Sequence, residues 1–269
     1  MFKSVNRLTF AFGLVVLGLA SAASAEDWGD LTGTITLDPA ADIPVQAAIN
    51  ANKDPEVCGK HNLKDESITV NPKNRGIADI LVYVYTRKGP KPTVHPDYAE
   101  TADAKVTLDN VGCRYEPRVT LLRTTQTLVI GNKDTIGHNT KIDTFKNPPI
   151  NPIIPGGSQL EQKFPAAETR PTPVGCNIHP WMAATLLIQD HPYMAVTDDD
   201  GKFTIEKLPA GKWTFQFRHA SKGYITEVQV NNKKEKWSKG RMELAVKAGD
   251  NNLGNIVLPA AAATKMFSK

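Results

Sequence analysis

The residues with the most distinctive chemistry lie in one short segment, Cys176-Asn-Ile-His-Pro-Trp-Met182. This segment spaces a thiol, the imidazole of His179 and a thioether at intervals of three residues. A second imidazole lies 38 residues before Cys176, just after the apolar run Leu128–Asn132. Two imidazoles, one thiolate and a weakly bound axial methionine are the ligand set of type-1 copper sites. The sequence therefore predicts one type-1 (blue) copper ion with four ligands: His138, Cys176, His179 and Met182.

Each of these donors suits a metal that gains and loses one electron. The soft thiolate binds Cu(I) and shares its charge with Cu(II), and imidazole suits both oxidation states. A long bond to methionine lets the geometry stay nearly constant as the charge changes. Four protein ligands leave no open position for a substrate, whereas catalytic metal sites keep one. We therefore expect an electron carrier and not an enzyme.

The segment resembles the copper loop of the cupredoxin family, and within that family the loop of the amicyanin type. There too a proline follows the loop histidine and an aromatic residue precedes the methionine, as Pro180 and Trp181 do here. The first ligand histidine is followed by Asn139, as is usual in the family, where this side chain ties the two ligand loops together. The turn Gly131-Asn-Lys-Asp134 is also similar to the family's. The resemblance covers about residues 110–190 and implies a Greek-key β-sandwich.

The resemblance also implies how such a protein would meet its partners. In the family, one ligand histidine reaches the surface through an apolar collar. That histidine would be His179, and Pro180 and Trp181 would form the collar. A small dry patch suits brief docking between redox proteins. We therefore expect a redox partner protein, such as a c-type cytochrome or a periplasmic dehydrogenase.

A function of another class stays open. The chain could be a cell-envelope β-sandwich with a binding or structural role and a non-redox or incidental metal site. Zinc could occupy one cysteine and two histidines, although structural zinc sites favour more thiolates or carboxylates and rarely take methionine. The same side chains could also pack in a core without any metal. The colour of the copper-loaded protein would distinguish these alternatives.

The N-terminal 25 residues have the features of a secretory signal peptide. The basic residues Lys3 and Arg7 precede the apolar run Phe10–Leu19, which is too short to span a bilayer, and the small residues Ala23–Ala25 follow. We therefore expect a periplasmic or extracellular protein with no integral membrane segment in the mature chain. Removal of this segment lowers the formal net charge from +4 to +2, which argues against nucleic acid as a partner.

The three cysteines of an exported chain form an odd set, so one of them needs a separate explanation. An oxidising compartment favours a disulfide between Cys58 and Cys113. This bond would close a loop of 54 intervening residues. Such a loop corresponds to a stabilisation of about 4 kcal/mol. Cys176 is then left alone, and because a lone exposed thiol outside the cytoplasm would oxidise, we expect it to be either buried or occupied by a bound group.

Most of the remaining sequence predicts strands. The β-branched and aromatic runs are Leu31–Leu37, Ile80–Tyr85, Val119–Leu122, Leu128–Ile130, Ala184–Ile188, Phe203–Ile205, Trp213–Phe217 and Tyr224–Val230. Clusters of Gly, Pro, Asn and Asp separate these runs. The helical candidates are limited to Val45–Asn50 and the alanine-rich tail. We therefore predict an all-β fold, either sandwich or barrel.

Two parts of the mature chain can be distinguished. Beyond the copper segment, Val196–Phe217 resembles the carboxypeptidase regulatory-like family, a small prealbumin-like β-sandwich. In that family the first strand carries a Gly-x-Val-like signature, which Gly33–Leu37 could supply. If it does, this sandwich is discontinuous and the copper domain is inserted into it. The predicted division is signal peptide 1–25, N-terminal β segment 26–95, copper domain 96–190, second sandwich 191–258 and tail 259–269.

Overall fold

A computed structural model describes Met1 and residues 27–268 of the chain. The predicted signal peptide, apart from Met1, therefore lies outside the described residues. Within the described ranges, no helix has the length and apolar composition needed to cross a lipid bilayer.

The described residues form mainly β-strands, and the prediction of an all-β fold is confirmed. In chain order the strands are β1 (Trp28–Leu37), β2 (Ile80–Val84), β3 (Lys105–Val111), β4 (Arg114–Glu116), β5 (Val119–Arg123), β6 (Thr127–Asn132), β7 (His138–Asn139), β8 (Lys141–Ile142), β9 (Ile153–Ile154), β10 (Gln159–Gln162), β11 (Thr172–Gly175), β12 (Ala183–Gln189), β13 (Met194–Val196), β14 (Lys202–Pro209), β15 (Gly211–His219), β16 (Gly223–Tyr224), β17 (Glu227–Val230), β18 (Lys233–Lys236), β19 (Arg241–Val246) and β20 (Gly249–Leu258). The helices of the same ranges are α1 (Pro55–Cys58) and α2 (Ala260–Phe267), with 3₁₀ turns at Gly59–His61, Pro96–Thr101 and Ser238–Gly240.

The first two strands pair with strands from the C-terminal part of the chain. One sheet has the order β14-β1-β20-β17-β18, and the other has the order β13-β2-β15-β16 with β19 against β15. We call this pair of sheets, which encloses one core, the split unit. Strand β1 alternates between buried and half-buried residues, so Leu31 and Ile35 face that core. Gly33 pairs with Phe203, and a Cβ at this glycine would lie 2.9 Å from the Phe203 ring.

Strands β3 to β12 form the inserted unit. Its sheets have the orders β10-β6-β3-β4 and β5-β12-β11-β8, and β7 pairs separately with β9. Both sheets face one core that includes Leu108, Ile130 and Leu186. All residues of β6 and nearly all of β12 are buried. This explains why their sequences contain continuous apolar runs and do not alternate between apolar and polar residues.

Strand β2 joins the two units because both of its faces are covered. Val82 belongs to the core of the split unit. On the other face, Leu81 and Tyr83 pack with Val119 and Leu187 of the inserted unit. A strand that is buried on two sides requires a run without alternation, and Ile80–Val84 is such a run.

The N-terminal segment predicted to complete the second sandwich divides between the two units. Strands β1 and β2 belong to the split unit, but residues 49–63 pack against the core of the inserted unit through Ile49, Val57 and Leu63. We call residues 49–63 the cap. The predicted disulfide is confirmed, and it links the cap to the turn between β3 and β4 through Cys58 and Cys113, whose Cα atoms are 5.5 Å apart.

One helical candidate is present and the other is not. The alanine-rich tail forms α2. Val45–Asn50 is not helical: Ala48 forms an isolated bridge with Lys64, and Ile49 donates its backbone N–H to Leu63 O at 2.9 Å. A segment of six residues gains too few helical hydrogen bonds to offset the cost of nucleation unless it packs an apolar face. Here the segment instead pairs with the other end of the cap.

Candidate metal centre

Three of the predicted ligands lie at the end of one antiparallel hairpin. Strands β11 and β12 pair through Gly175 and Ala183, and the loop between those two residues contains Cys176, His179 and Met182. The Cys176 N–H donates to Met182 O at 3.3 Å, and the Met182 N–H donates to His179 O at 2.9 Å. The loop is therefore a closed turn with the side chains of its ligands close together.

The fourth ligand, His138, begins β7 and is positioned by the loop that follows β6. Asn132 donates its side-chain amide to the carbonyls of Ile136 and Ile154 at 2.7 and 2.8 Å. Its side-chain oxygen accepts the N–H of Asp134 at 3.0 Å, an Asx turn that reverses the chain. The backbone of His138 is also held by its pairing with Ile154 of β9.

The donor atoms of three predicted ligands converge. The Nδ1 atoms of His138 and His179 are 2.9 Å apart, and Cys176 Sγ lies 3.7 Å from His179 Nδ1. All three donor atoms lie within 4.8 Å of one another. Donors that bond one ion at about 2.0–2.3 Å can be at most about 4.4 Å apart, so the two measured separations are compatible with a shared ion.

The outer nitrogen of each histidine faces a carboxylate. His138 Nε2 donates to Asp134 Oδ2 and His179 Nε2 donates to Asp54 Oδ2, both at 2.8 Å. Because a carboxylate accepts at each Nε2, that atom carries the proton and Nδ1 presents its lone pair inward. Two lone pairs 2.9 Å apart repel unless a proton or a cation lies between them. The arrangement therefore fits a bound cation.

In the pair formed by Asp134 and His138, both side chains have the protonation state that metal binding needs. Burial alone would raise the pKa of Asp134, but hydrogen bonds from the N–H groups of Cys113 and Gly112 and from His138 hold this pKa below its ordinary value. Burial lowers the pKa of His138, although Asp134 opposes the change. The result is a carboxylate beside a neutral imidazole, and neutral imidazole is the form that ligates metals.

The expectation that His179 reaches the surface is wrong. His138 and His179 have no exposed area, and Cys176 is 4% exposed. His179 is covered because the cap places the carboxylate of Asp54 on its outer nitrogen. Trp181 packs on the other part of the ring, with ring centroids 5.3 Å apart, and Pro180 is exposed beside it. The loop therefore provides part of a collar, but the histidine does not pass through it.

Asn139 lies between the two ligand loops. Its Oδ1 accepts the N–H groups of Asn177 and Ile178 at 2.8 and 3.2 Å, and the Cys176 thiol donates to the same oxygen at 3.3 Å. The Tyr115 hydroxyl donates to the Asn139 carbonyl at 2.7 Å. These bonds set the position of the cysteine loop relative to His138.

Met182 is 2% exposed and packs in the same core cluster as Cys176. The three convergent donors are two imidazoles and one thiol, and the role of the Met182 thioether as a weak axial ligand stays a prediction. A second group of close donors consists of Cys113, Asp134 and His138. That group is not a separate site, because the Cys113 sulfur is in the disulfide and cannot act as a thiolate ligand.

Sequence reasoning missed both carboxylates as supports of the ligands. Asp134 belongs to a turn that the family resemblance includes, so its position four residues before His138 was a usable signal. Asp54 lies 125 residues before His179 in a polar stretch without periodicity. The one signal for Asp54 was that it lies close in sequence to Cys58. The predicted disulfide places Cys58 near the end of the inserted unit that contains the candidate ligands.

Comparison with known proteins finds solved structures that are similar to part of this chain. No protein-family model and no curated protein sequence matches the chain. The purple cupredoxin from Nitrosopumilus maritimus is 21% identical, and the match covers 32% of this chain and 100% of that one, with a TM-score of 0.27. The reduced Cu(I) form of an amicyanin variant is 18% identical, with coverage of 40% and 98% and a TM-score of 0.29. A copper-containing nitrite reductase from Thermus scotoductus is 19% identical over 38% of this chain, with a TM-score of 0.28, and the match spans 24% of the reductase.

Proposed function

We propose that the protein is an exported electron carrier with a single type-1 copper ion held by four residues: His138, Cys176, His179 and Met182. The observation that carries the proposal is the convergence of two imidazole nitrogens and one thiol sulfur in a buried space. Copper bound there would supply one-electron chemistry by alternating between Cu(I) and Cu(II).

The surrounding residues hold the donors in place independently of the metal. Asp134 orients the His138 ring, and Asn139 orients the cysteine loop through its contacts with two backbone N–H groups. Such contacts limit movement of the ligands when the metal charge changes. Burial of Cys176 at 4% exposure also protects the thiol from oxidants.

We further propose that the site relays electrons and does not catalyse a reaction on a bound substrate. The two histidines and the cysteine are all buried, so a substrate would have to displace protein to reach a metal between them. A relay needs only a short distance between the metal and the surface. Pro180 is exposed, Ile178 is 37% exposed, and Trp181 is half-buried against the His179 ring. A redox partner such as a c-type cytochrome or a periplasmic dehydrogenase would dock on this face.

Copper loading of the mature protein tests the proposal. Addition of Cu(II) should give one bound copper per chain, an intense visible band from thiolate-to-copper charge transfer, and narrow copper hyperfine splitting in the EPR spectrum. His179→Ala should change both spectra, while His61→Ala, which alters an exposed histidine, should change neither.

A colourless protein with ordinary tetragonal copper would overturn the proposal. Stoichiometric binding of zinc in preference to copper, with no reversible redox change, would instead support the alternative of an envelope module with a non-redox metal.

A further inference from the structure

One carboxylate stands between the buried His179 and solvent. The Asp54 side chain is 45% exposed and the His179 side chain has no exposed area, with 2.8 Å between Oδ2 and Nε2. Asp54 comes from the cap and not from the inserted unit that supplies the ligands. The covering of this histidine therefore depends on how the cap is attached.

Local hydrogen bonds hold the backbone of Asp54 in one conformation. Asp54 has left-handed torsion angles, with φ 46° and ψ 50°, and precedes Pro55 at the start of α1. Its carbonyl accepts the N–H groups of Val57 and Cys58 at 3.0 and 2.8 Å. Aspartate, asparagine and glycine tolerate left-handed torsion angles better than other residues do. The residue is thus locked at the first turn of a helix whose last residue is in the disulfide.

The same disulfide reaches the support of the other histidine. Cys113 donates its N–H to Asp134 at 2.8 Å, and Asp134 accepts from His138. Cys113 also accepts the indole N–H of Trp181 at 3.2 Å. One covalent bond therefore connects the segment that carries Asp54 to the turn whose N–H groups hold the Asp134 carboxylate.

We infer that Asp54 is a positioning residue for the proposed copper site. It holds the His179 ring with Nδ1 toward the metal, and it closes this side of the site against water and small anions. Its negative charge also stabilises the higher charge of the metal and so lowers the reduction potential. The inference rests on the proposed function for its copper readouts, but the contact between Asp54 and His179 can be measured without metal.

Two substitutions separate the charge of Asp54 from its covering role. Asp54→Asn keeps an oxygen that can accept from His179 Nε2 and removes the charge. Asp54→Gly removes the acceptor altogether and fits the left-handed backbone without strain. Glu56→Gln is the matched control, because it removes an exposed carboxylate from the short helix that Asp54 precedes. Circular dichroism and thiol counting on each variant would verify the fold and the disulfide.

The copper-loaded mature proteins would be compared by azide titration, by transfer of copper to a chelator and by redox titration. We expect Asp54→Gly to lose copper about 10- to 100-fold faster and to change its visible spectrum on addition of azide. The spectrum of Asp54→Asn should not respond to azide. Its reduction potential should be more positive than that of the wild type, and the shift should exceed that of Glu56→Gln. Wild-type copper retention, azide insensitivity and potential in Asp54→Gly would overturn the inference.

A measurement on the metal-free protein keeps this test independent of the proposed function. The proton on His179 Nε2 should give a slowly exchanging imidazole N–H resonance in the wild type and in Asp54→Asn. That resonance should exchange rapidly with water in Asp54→Gly. If wild-type protein forms no thiolate–copper band, the proposed function fails, and the imidazole resonance still decides the role of Asp54. Equal protection of this proton in all three proteins would refute the role of Asp54.

Discussion

Asp134 lies four residues before His138 and accepts a hydrogen bond from its outer nitrogen at 2.8 Å. The same carboxylate accepts the N–H groups of Gly112 and Cys113 at 2.6 and 2.8 Å. A single side chain thus connects a proposed metal ligand to the turn that carries the disulfide. Because its oxygens accept three hydrogen bonds, Asp134 orients the His138 ring more rigidly than a solvent-exposed carboxylate could.

Asp134→Asn should weaken copper binding. The amide has one accepting oxygen where the carboxylate has two, so at least one of the three hydrogen bonds is lost. Loss of such an outer support typically costs about 10–100-fold in metal affinity. Competition with a chelator of known affinity would measure the change. Asp143→Asn is the control, because Asp143 is a half-exposed carboxylate on the same segment that pairs with Lys141, and an equal loss in both variants would argue against this role.

The double variant Cys58→Ser/Cys113→Ser should be less stable. The bond closes a loop with a sequence separation of 55 residues. Its removal is expected to lower the free energy of unfolding by about 4 kcal/mol. Denaturant unfolding of the metal-free protein would measure this, with Cys176→Ser as a control that keeps the disulfide. An unchanged midpoint in the double variant would contradict the prediction.

The cysteine and methionine of the ligand loop should differ in their effects. Cys176→Ser should abolish the blue colour, because a hydroxyl cannot supply the thiolate bond that produces it. Met182→Leu should keep copper and most of the colour, since the volume is nearly conserved, and it should raise the potential because a weak donor to Cu(II) is lost. Metal analysis and redox titration would measure both. If Met182→Leu lost copper as completely as Cys176→Ser, Met182 would not be a weak axial ligand.

A buried carboxylate away from the metal centre should make stability depend on acid pH. Glu168 is 3% exposed and accepts the backbone N–H groups of Phe145, Lys146 and Asn147 at 2.9–3.1 Å. Burial alone would raise the pKa of Glu168, but these bonds and the Asn147 side chain outweigh it and lower the pKa. The ionised form is therefore favoured in the folded state. Its contribution is present above the unfolded pKa of about 4.3 and is lost as the pH falls through the lower folded pKa.

Glu168→Gln should reduce the free energy of unfolding at pH 7 by about 1–3 kcal/mol, because acceptor capacity for buried N–H groups is lost. The difference from the wild type should narrow as the pH falls below about 4. Urea unfolding of the metal-free protein at several pH values would measure both effects. Glu161→Gln is a suitable control, since Glu161 is 46% exposed and pairs with Lys105. A constant difference at all pH values would show that the charge of Glu168 is not the cause.

Local sequence determined the donor types and much of their arrangement. Cys176, His179 and Met182 lie in one hairpin loop, so the distances between them are limited by seven residues of chain. The strands could also be predicted from local sequence. The alternation in β1 and the continuous apolar runs in β2 and β6 indicate which faces of these strands are buried. The disulfide could be predicted because a chain with a predicted export signal, three cysteines and one candidate metal thiolate leaves a single pair.

The environment of His179 was decided by tertiary structure alone. Its outer nitrogen contacts Asp54, which lies 125 residues away in a segment with neither helical nor strand periodicity. The cap has few apolar residues, and it is held by the Cys58–Cys113 bond and by contacts of Ile49 and Leu63 with the core. The number of residues between two positions limits their distance in space only when the two positions are close in the sequence. A contact between distant segments is set by which surfaces pack together, and that choice depends on the shape of both units once they have folded.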